Sequence, residues 1–266
     1  MRSSALSGVC EAFPSTVWPA GAHPGPGRRV LAAEIAVALV HDGVTSAVVM
    51  ATPDELEDFA LGYSLTQGVV AQASDIREIA VLETPLGIEV RVALHKEAAR
   101  VLAARRKYLS SGLGGLDSLS AAARRAPNVA DDLVLSRHDV REAVEDLAAH
   151  RWMRQATGAG CAAGYWSPAL GLIAAREDLN RHNALDKLAG ARARGGPPSH
   201  GCVVVTDAVC VETVQRVAAI GAGILIGKGA PTALAVRTAF DAGVTIAAMD
   251  ETGGFELFSH AQRVAV

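Results

Sequence analysis

The segment REDLNRHNALDK, residues 176–187, is the densest group of polar chemistry in the chain. Seven of its twelve side chains are ionisable, and Asn180 and Asn183 add two amides. On a helix opening near Asn180, His182 and Asp186 stand four residues apart and share a face, as do Asn183 and Lys187. Arg181 falls in the first turn, where free backbone N–H groups already favour anions. Arg181 and Lys187 together suit a phosphate or pyrophosphate. The same spacing also describes a solvated helix with local ion pairs.

A second segment, GKGAPTALAV at 227–236, invites a P-loop reading that fails. The first glycine is at the wrong distance, and Lys228 is followed by Gly229 rather than Ser or Thr. What remains is a strand, a glycine turn and a helix opened by Pro231, either a ligand site at a strand's carboxyl end or an ordinary tight turn. A third, TGAGC at 157–161, offers glycines for close backbone approach and a thiol in Cys161. A cysteine without a visible partner base is more often a small buried hydrophobe. Cys202 opens an apolar strand and reads as core. Cys210 stands just before a helix, whose dipole can lower a thiol pKa.

Several chemistries are missing from the sequence. There is no HxE followed by PCxxC, no GxSxG elbow and no GxGxxG after a strand. Cys10, Cys161, Cys202 and Cys210 have neither CxxC nor metal-ligand spacing, so no metal is expected, and a reducing cytoplasm is the expected compartment. A net charge of −3 gives no footprint for nucleic acid, and 4% aromatic content gives little surface for base stacking. No apolar run is long enough to span a bilayer. Half of the 266 residues are apolar and a fifth are charged, which suits a soluble globular protein, and the order of its elements suits the α/β class.

The elements that must position these groups fall into two sets. Residues 1–28, rich in Pro, Gly, Ser and Ala, read as a flexible tail. Residues 29–109 read as a small α+β unit. EIAVALVHDGVTSAVVM is a hairpin turning at Asp42-Gly43, and DIREIAVLETPLGIEVRVALH is a second hairpin. Between them lies a helix with Thr52 as N-cap, Pro53 at its first position, and a capping box from Thr52 to Glu55. KEAARVLAARRKYL is a basic helix leading into SSGLGGL, and residues 110–135 read as loop and linker. From 136 to 266 a helix capped by Ser136 and Asp139 precedes alternating strands and helices, which argues for a mixed, mainly parallel sheet.

In order along the chain, ATPDELEDFALGYSLTQGVV, REDLNRHNALDKLAG, APTALAV and GGFELFSH resemble motifs of the FdhD family, the formate dehydrogenase accessory sulfurtransferases. The resemblance runs from about residue 28 to the end. It implies a cytidine-deaminase-like domain over 136–266. It also implies a molybdenum-cofactor role: sulfur taken as a persulfide from a cysteine desulfurase and passed to bis-molybdopterin guanine dinucleotide, carrying Mo or W, before that cofactor enters formate dehydrogenase. By the same resemblance, Phe255, Glu256, Leu257, Phe258, Ser259 and His260 belong to the site for the cofactor's guanine nucleotide ends, of which GDP is an analogue. Asp178, Arg181, His182, Asn183, Asp186, Lys187, Pro231 and Thr232 complete the expected cofactor contacts. A homodimer is implied, with no role for nucleic acid or membrane.

The chain departs from the family pattern at several positions. The family's two sulfur-carrying cysteines fall on Ser111 and Gly114, which hold no sulfur. A hydroxyl cannot carry a persulfide. Cys161 stands where the family has histidine, Cys210 where it has serine, Ala208 where it has arginine and Phe258 where it has tyrosine. Three readings follow: a cofactor-binding accessory protein that carries no sulfur on this loop, a sulfurtransferase using another thiol such as Cys161, or a diverged non-catalytic binding protein.

Overall fold

A computed structural model of the chain describes residues 8–21, 23–106, 125–195 and 200–265. Ser111 and Gly114, with the rest of SSGLGGL, lie outside the described residues. The first sheet has the order β4-β3-β6-β5, from β3 (Ile35–His41), β4 (Val44–Ala51), β5 (Ile76–Thr84) and β6 (Gly87–Leu94). Its first hairpin turns at Asp42 and Gly43 with φ of 46° and 77°, the left-handed pair that a two-residue hairpin loop requires. α1 (Leu56–Thr66) lies on this sheet, and Phe59 and Ala60 join Val37, Leu39, Val90 and Val92 in one apolar cluster. α2 (Lys96–Arg106) follows β6.

The second sheet has six strands in the order β13-β12-β11-β10-β8-β9. These are β8 (Cys161–Ser167), β9 (Gly171–Asp178), β10 (Cys202–Val205), β11 (Ile224–Lys228), β12 (Thr245–Met249) and β13 (Phe255–Phe258). It is mixed, but less parallel than the alternation of elements suggested. Only β10–β11 and β11–β12 are parallel, and the other three ladders are antiparallel. Alternate residues of β10 serve opposite faces. Val203 and Val205 pack under α5 (Arg181–Arg194), α6 (Val211–Ile220) and α7 (Ala233–Ala242). Cys202 and Val204 pack under α3 (Arg137–Ala149), which is opened by the expected Ser136–Asp139 capping box. A short α4 (Trp152–Thr157) leads into β8, and a two-residue ladder joins β7 (Leu135–Ser136) to β14 (Val264–Ala265). No helix among the described residues is long and apolar enough to cross a membrane.

Two expectations are corrected, for the tail and for Thr52, while the loop reading of the linker stands over its described part, 125–134. The stretch read as a flexible tail contains β1 (Cys10–Val17), which pairs antiparallel with β2 (Gly25–Ala32). Pro14 and Pro26 argue against a central strand, but a two-stranded ribbon has outward-facing edges that tolerate them. The linker is docked where it is described: Val129 N–H donates to Ala242 O, and Asp131 Oδ2 accepts from Gly223 N. Thr52 does not cap α1, which starts four residues later behind Glu55 in a left-handed conformation with φ of 53°. Thr52 N–H instead donates to Asp178 Oδ2, and its hydroxyl oxygen accepts from Leu179 N.

The two units meet where α1 crosses α5. A Cβ on Gly62 would stand 1.6 Å from Asp186 O, and one on Gly190 would stand 1.9 Å from Asp58 O. Each glycine therefore lets the other helix's backbone approach. Asp58 also ties α1 to the six-stranded sheet through Arg176, at 2.6 Å. Gly62→Ala is expected to lower stability by about 3 kcal/mol or more, read as a fall in the urea midpoint, because neither backbone can yield locally. An unchanged midpoint would contradict this crossing.

Candidate functional site

The chemistry-bearing segment 176–187 divides between holding the fold and facing solvent. Asp178 and Lys187 form an ion pair at 2.9 Å, with both side chains 0% exposed. Asp178 Oδ1 accepts from Asn180 N at 2.9 Å and Asn183 Nδ2 at 3.1 Å, and Oδ2 accepts from Thr52 N at 3.1 Å. Lys187 Nζ also donates to Thr52 O at 3.1 Å, and Asn183 Nδ2 to Met50 O at 2.9 Å. Glu177 accepts from Met153 N and Arg154 N at the start of α4. The end of β4, the end of β9 and the start of α5 are thereby locked together.

The two pairs expected to share helix faces do so. Asn183 and Lys187 turn toward Asp178. His182 and Asp186 turn toward α6, where Asp186 holds Arg216 at 3.0 Å and accepts from the Thr66 hydroxyl at 2.5 Å. Asp178, Asp186 and Lys187 were expected as direct cofactor contacts. Buried and fully paired with protein groups, they position the site rather than offer atoms to a ligand.

What reaches solvent lies at the opening of α5. A cleft of ≈ 500 Å³ is lined by Glu34, Met50, Cys161, Asn180, Arg181, His182, Asn183 and Asp207, among others. Arg181 Nη1 donates to Ala208 O at 3.5 Å, and Asn180 caps the helix by accepting from His182 N at 2.8 Å. Arg151, which the sequence did not single out, is close enough to the Asp207 carboxylate and the Cys161 thiol to interact with both. The rim continues across the carboxyl ends of the parallel strands, where Lys228 N donates to Asp207 O and Thr232 N to Val209 O. Thr232 caps α7 through Ala235 N at 3.2 Å, so that helix begins after Pro231 rather than at it.

The C-terminal segment lies elsewhere in the chain's own fold. β13 and β9 are opposite edges of the six-stranded sheet, so Phe255–His260 does not meet the α5 cleft. Phe255 and Leu257 line a separate groove of ≈ 420 Å³ with Arg137, Arg141 and Asp250. Phe258 packs against the core, Glu256 is exposed on the edge strand, and Ser259 donates to Val244 O at 2.6 Å. His260 donates to Phe240 O at 2.9 Å and stacks on that ring at 5.3 Å.

The thiols differ sharply. Burial, reinforced by Asp207, pushes Cys161 up to about 12, which leaves it protonated and a poor substitute nucleophile. Cys202 is fully buried and its thiol is raised by that burial. At Cys210 burial opposes ionisation, but hydrogen bonds from His182 and from the Thr213 hydroxyl and N–H outweigh it and bring the thiol down to about 6. His182 Nε2 lies 3.5 Å from Cys210 Sγ, and Thr213 Oγ1 lies 3.3 Å from it. Helix placement hinted at this thiol, but the histidine, 28 residues away in sequence, gave no local signal. Iodoacetamide at pH 7 is therefore expected to label Cys210 before Cys161 or Cys202, with a rate midpoint near pH 6. Peptide mass mapping checks this, and equal labelling of Cys161 would contradict it.

Comparison with known proteins gives the family and the fold. The FdhD/NarQ family pattern matches residues 32–265. The sulfur carrier protein FdhD of Agrobacterium fabrum is 40% identical over 247 residues, covering 91% of each chain. That of Cupriavidus necator is 42% identical over 240 residues, covering 88% of this chain and 83% of its own. A crystal structure described as a formate dehydrogenase accessory protein, from Desulfotalea psychrophila, superposes with a TM-score of 0.75 at 22% identity, covering 97% of this chain and 100% of its own, and shows the shared fold. The chain belongs to the FdhD/NarQ family.

Proposed function

We propose that this chain is an accessory protein of formate dehydrogenase maturation that holds bis-molybdopterin guanine dinucleotide, carrying Mo or W, through the cofactor's guanine nucleotide ends. The observation that carries this reading is the cleft at the opening of α5, where Arg181 stands on the first turn of a helix whose amide capping is built in. A guanidinium beside a helix N-terminus suits a pyrophosphate. Asp207 on the same wall supplies the carboxylate acceptor that the N–H edge of a guanine needs. The donor set therefore fits both ends of a guanine nucleotide. The cofactor would supply the metal chemistry; this chain's residues would bind and orient the nucleotide.

Asp178 and Lys187 serve this reading indirectly. They fix the strand-to-helix turn on which Arg181 and Asn180 stand. Formate dehydrogenase as client, a cysteine desulfurase as sulfur donor and a homodimer as the working form belong to the same proposal. The reading of Cys161 as the sulfur-carrying thiol is disfavoured by its raised pKa and by the carboxylate beside it.

Calorimetry with GDP tests the proposal, with ADP as the comparison ligand. GDP is expected to bind in preference to ADP. Arg181→Ala is expected to weaken GDP about tenfold or more, the effect of one lost charge-assisted contact. No heat of binding at millimolar GDP would overturn the reading.

A further inference from the structure

Cys210, His182 and Glu212 form a connected set that the binding role does not use. His182 Nε2 faces Cys210 Sγ at 3.5 Å, while Nδ1 of the same ring faces Glu212 Oε2 at 3.3 Å. Glu212 is itself held by Arg216 Nη1 at 3.3 Å, and Arg216 by buried Asp186. The imidazole is thus oriented from behind by a fixed carboxylate and presents its other nitrogen to a thiol. That is the nucleophile, base and orienting-acid arrangement of covalent catalysis. Cys210 is half-buried at the N-cap of α6, and the side chains of His182 and Glu212 are 22% and 40% exposed, so the group is reachable.

We propose that Cys210 is the sulfur-accepting nucleophile of this chain, with His182 as its acid–base partner and Glu212 as the group that positions His182. The substrate class is a persulfide, R–S–SH, on a small molecule or a donor protein. The choice of sulfur rests on the accessory role proposed above, and the geometry of the three residues does not. His182 takes the Cys210 proton. The Cys210 thiolate attacks the outer sulfur of the donor, a new S–S bond forms at Cys210, and the donor's S–S bond breaks. The electron pair leaves on R–S⁻, which takes the proton back from His182. The products are Cys210–S–SH and R–SH, and no oxidant or reductant is consumed.

The placement favours this over a structural thiol. His182 lines the cleft and also touches Cys210, so the thiol stands one side chain away from any ligand held beside Arg181. Asp207, on the loop that leads to Cys210, lines the same cleft. The charged groups connected to the thiol come from two helices: His182 on α5 touches it, and Glu212 and Arg216 on α6 stand behind His182.

The test incubates the full chain with glutathione persulfide, removes the donor and measures intact mass. Wild type is expected to gain the mass of one sulfur atom, released by dithiothreitol and, with cyanide, as thiocyanate. Peptide mapping of wild type should place it on Cys210, which tests the assignment without any variant. Cys210→Ser should gain nothing. His182→Gln should load on the order of a hundredfold more slowly, with the alkylation midpoint of Cys210 moved upward from its wild-type pH, a shift that a purely structural histidine would not cause. Sulfur mapped to Cys10 or Cys161, or full loading of Cys210→Ser, would overturn the assignment. GDP binding is read on the same samples. GDP bound without sulfur loading defeats this inference alone, and loading without GDP binding defeats only the cofactor reading.

Discussion

The structure depends on one buried ion pair. Asp178 ends β9, Lys187 lies on the second turn of α5, and neither reaches solvent. Two charges removed from water are costly unless every remaining polar atom is also satisfied. Here the partners come from both units of the chain: Thr52 supplies an N–H to the aspartate and a carbonyl to the lysine, and Met50 supplies a carbonyl to Asn183. The pair is therefore fully satisfied only when the end of β4 has docked on the second sheet. It couples the folding of the N-terminal unit to the placing of the α5 N-terminus, where Arg181, His182 and the cleft are found.

The crossing of α1 and α5 makes that docking geometrically possible. Gly62 and Gly190 bring the two backbones together, and this proximity allows Thr66 to reach Asp186. From Asp186 the polar connection runs through Arg216 to Glu212 and then to His182 and Cys210. One short motif thus does two jobs on two helix faces. Asn183 and Lys187 tie the helix to the strands, while His182 and Asp186 tie it to α6. Fixing both faces leaves the first turn, with Arg181, as the part turned toward the cleft.

Much of this was legible locally. The Asp42-Gly43 turn, the Ser136–Asp139 capping box and the helix over RHNALDK all follow from rules that operate within a few residues. The failures share a cause, which is that distant groups took over local ones. Thr52 has the chemistry of an N-cap, but Asp178 and Leu179, more than a hundred residues away, engage it first. Asp178 and Lys187 have the look of ligand groups, and only burial distinguishes a positioning pair from a binding pair. Cys210 and His182 meet because the strand order places α5 beside α6, and no spacing rule reports that. The matched family pattern starts at residue 32, so it says nothing of the β1–β2 ribbon's first strand.

The most direct test of the account is a double-mutant cycle on the buried pair, read by urea unfolding. Lys187→Met alone is expected to cost about 3–5 kcal/mol, because it leaves Asp178 charged and buried. Adding Asp178→Asn should recover part of that loss, so that the two changes together cost about 2 kcal/mol less than their sum. Additive costs, or a Lys187→Met penalty below about 1 kcal/mol, would show that the two units and the α5 opening are held together by something other than this pair.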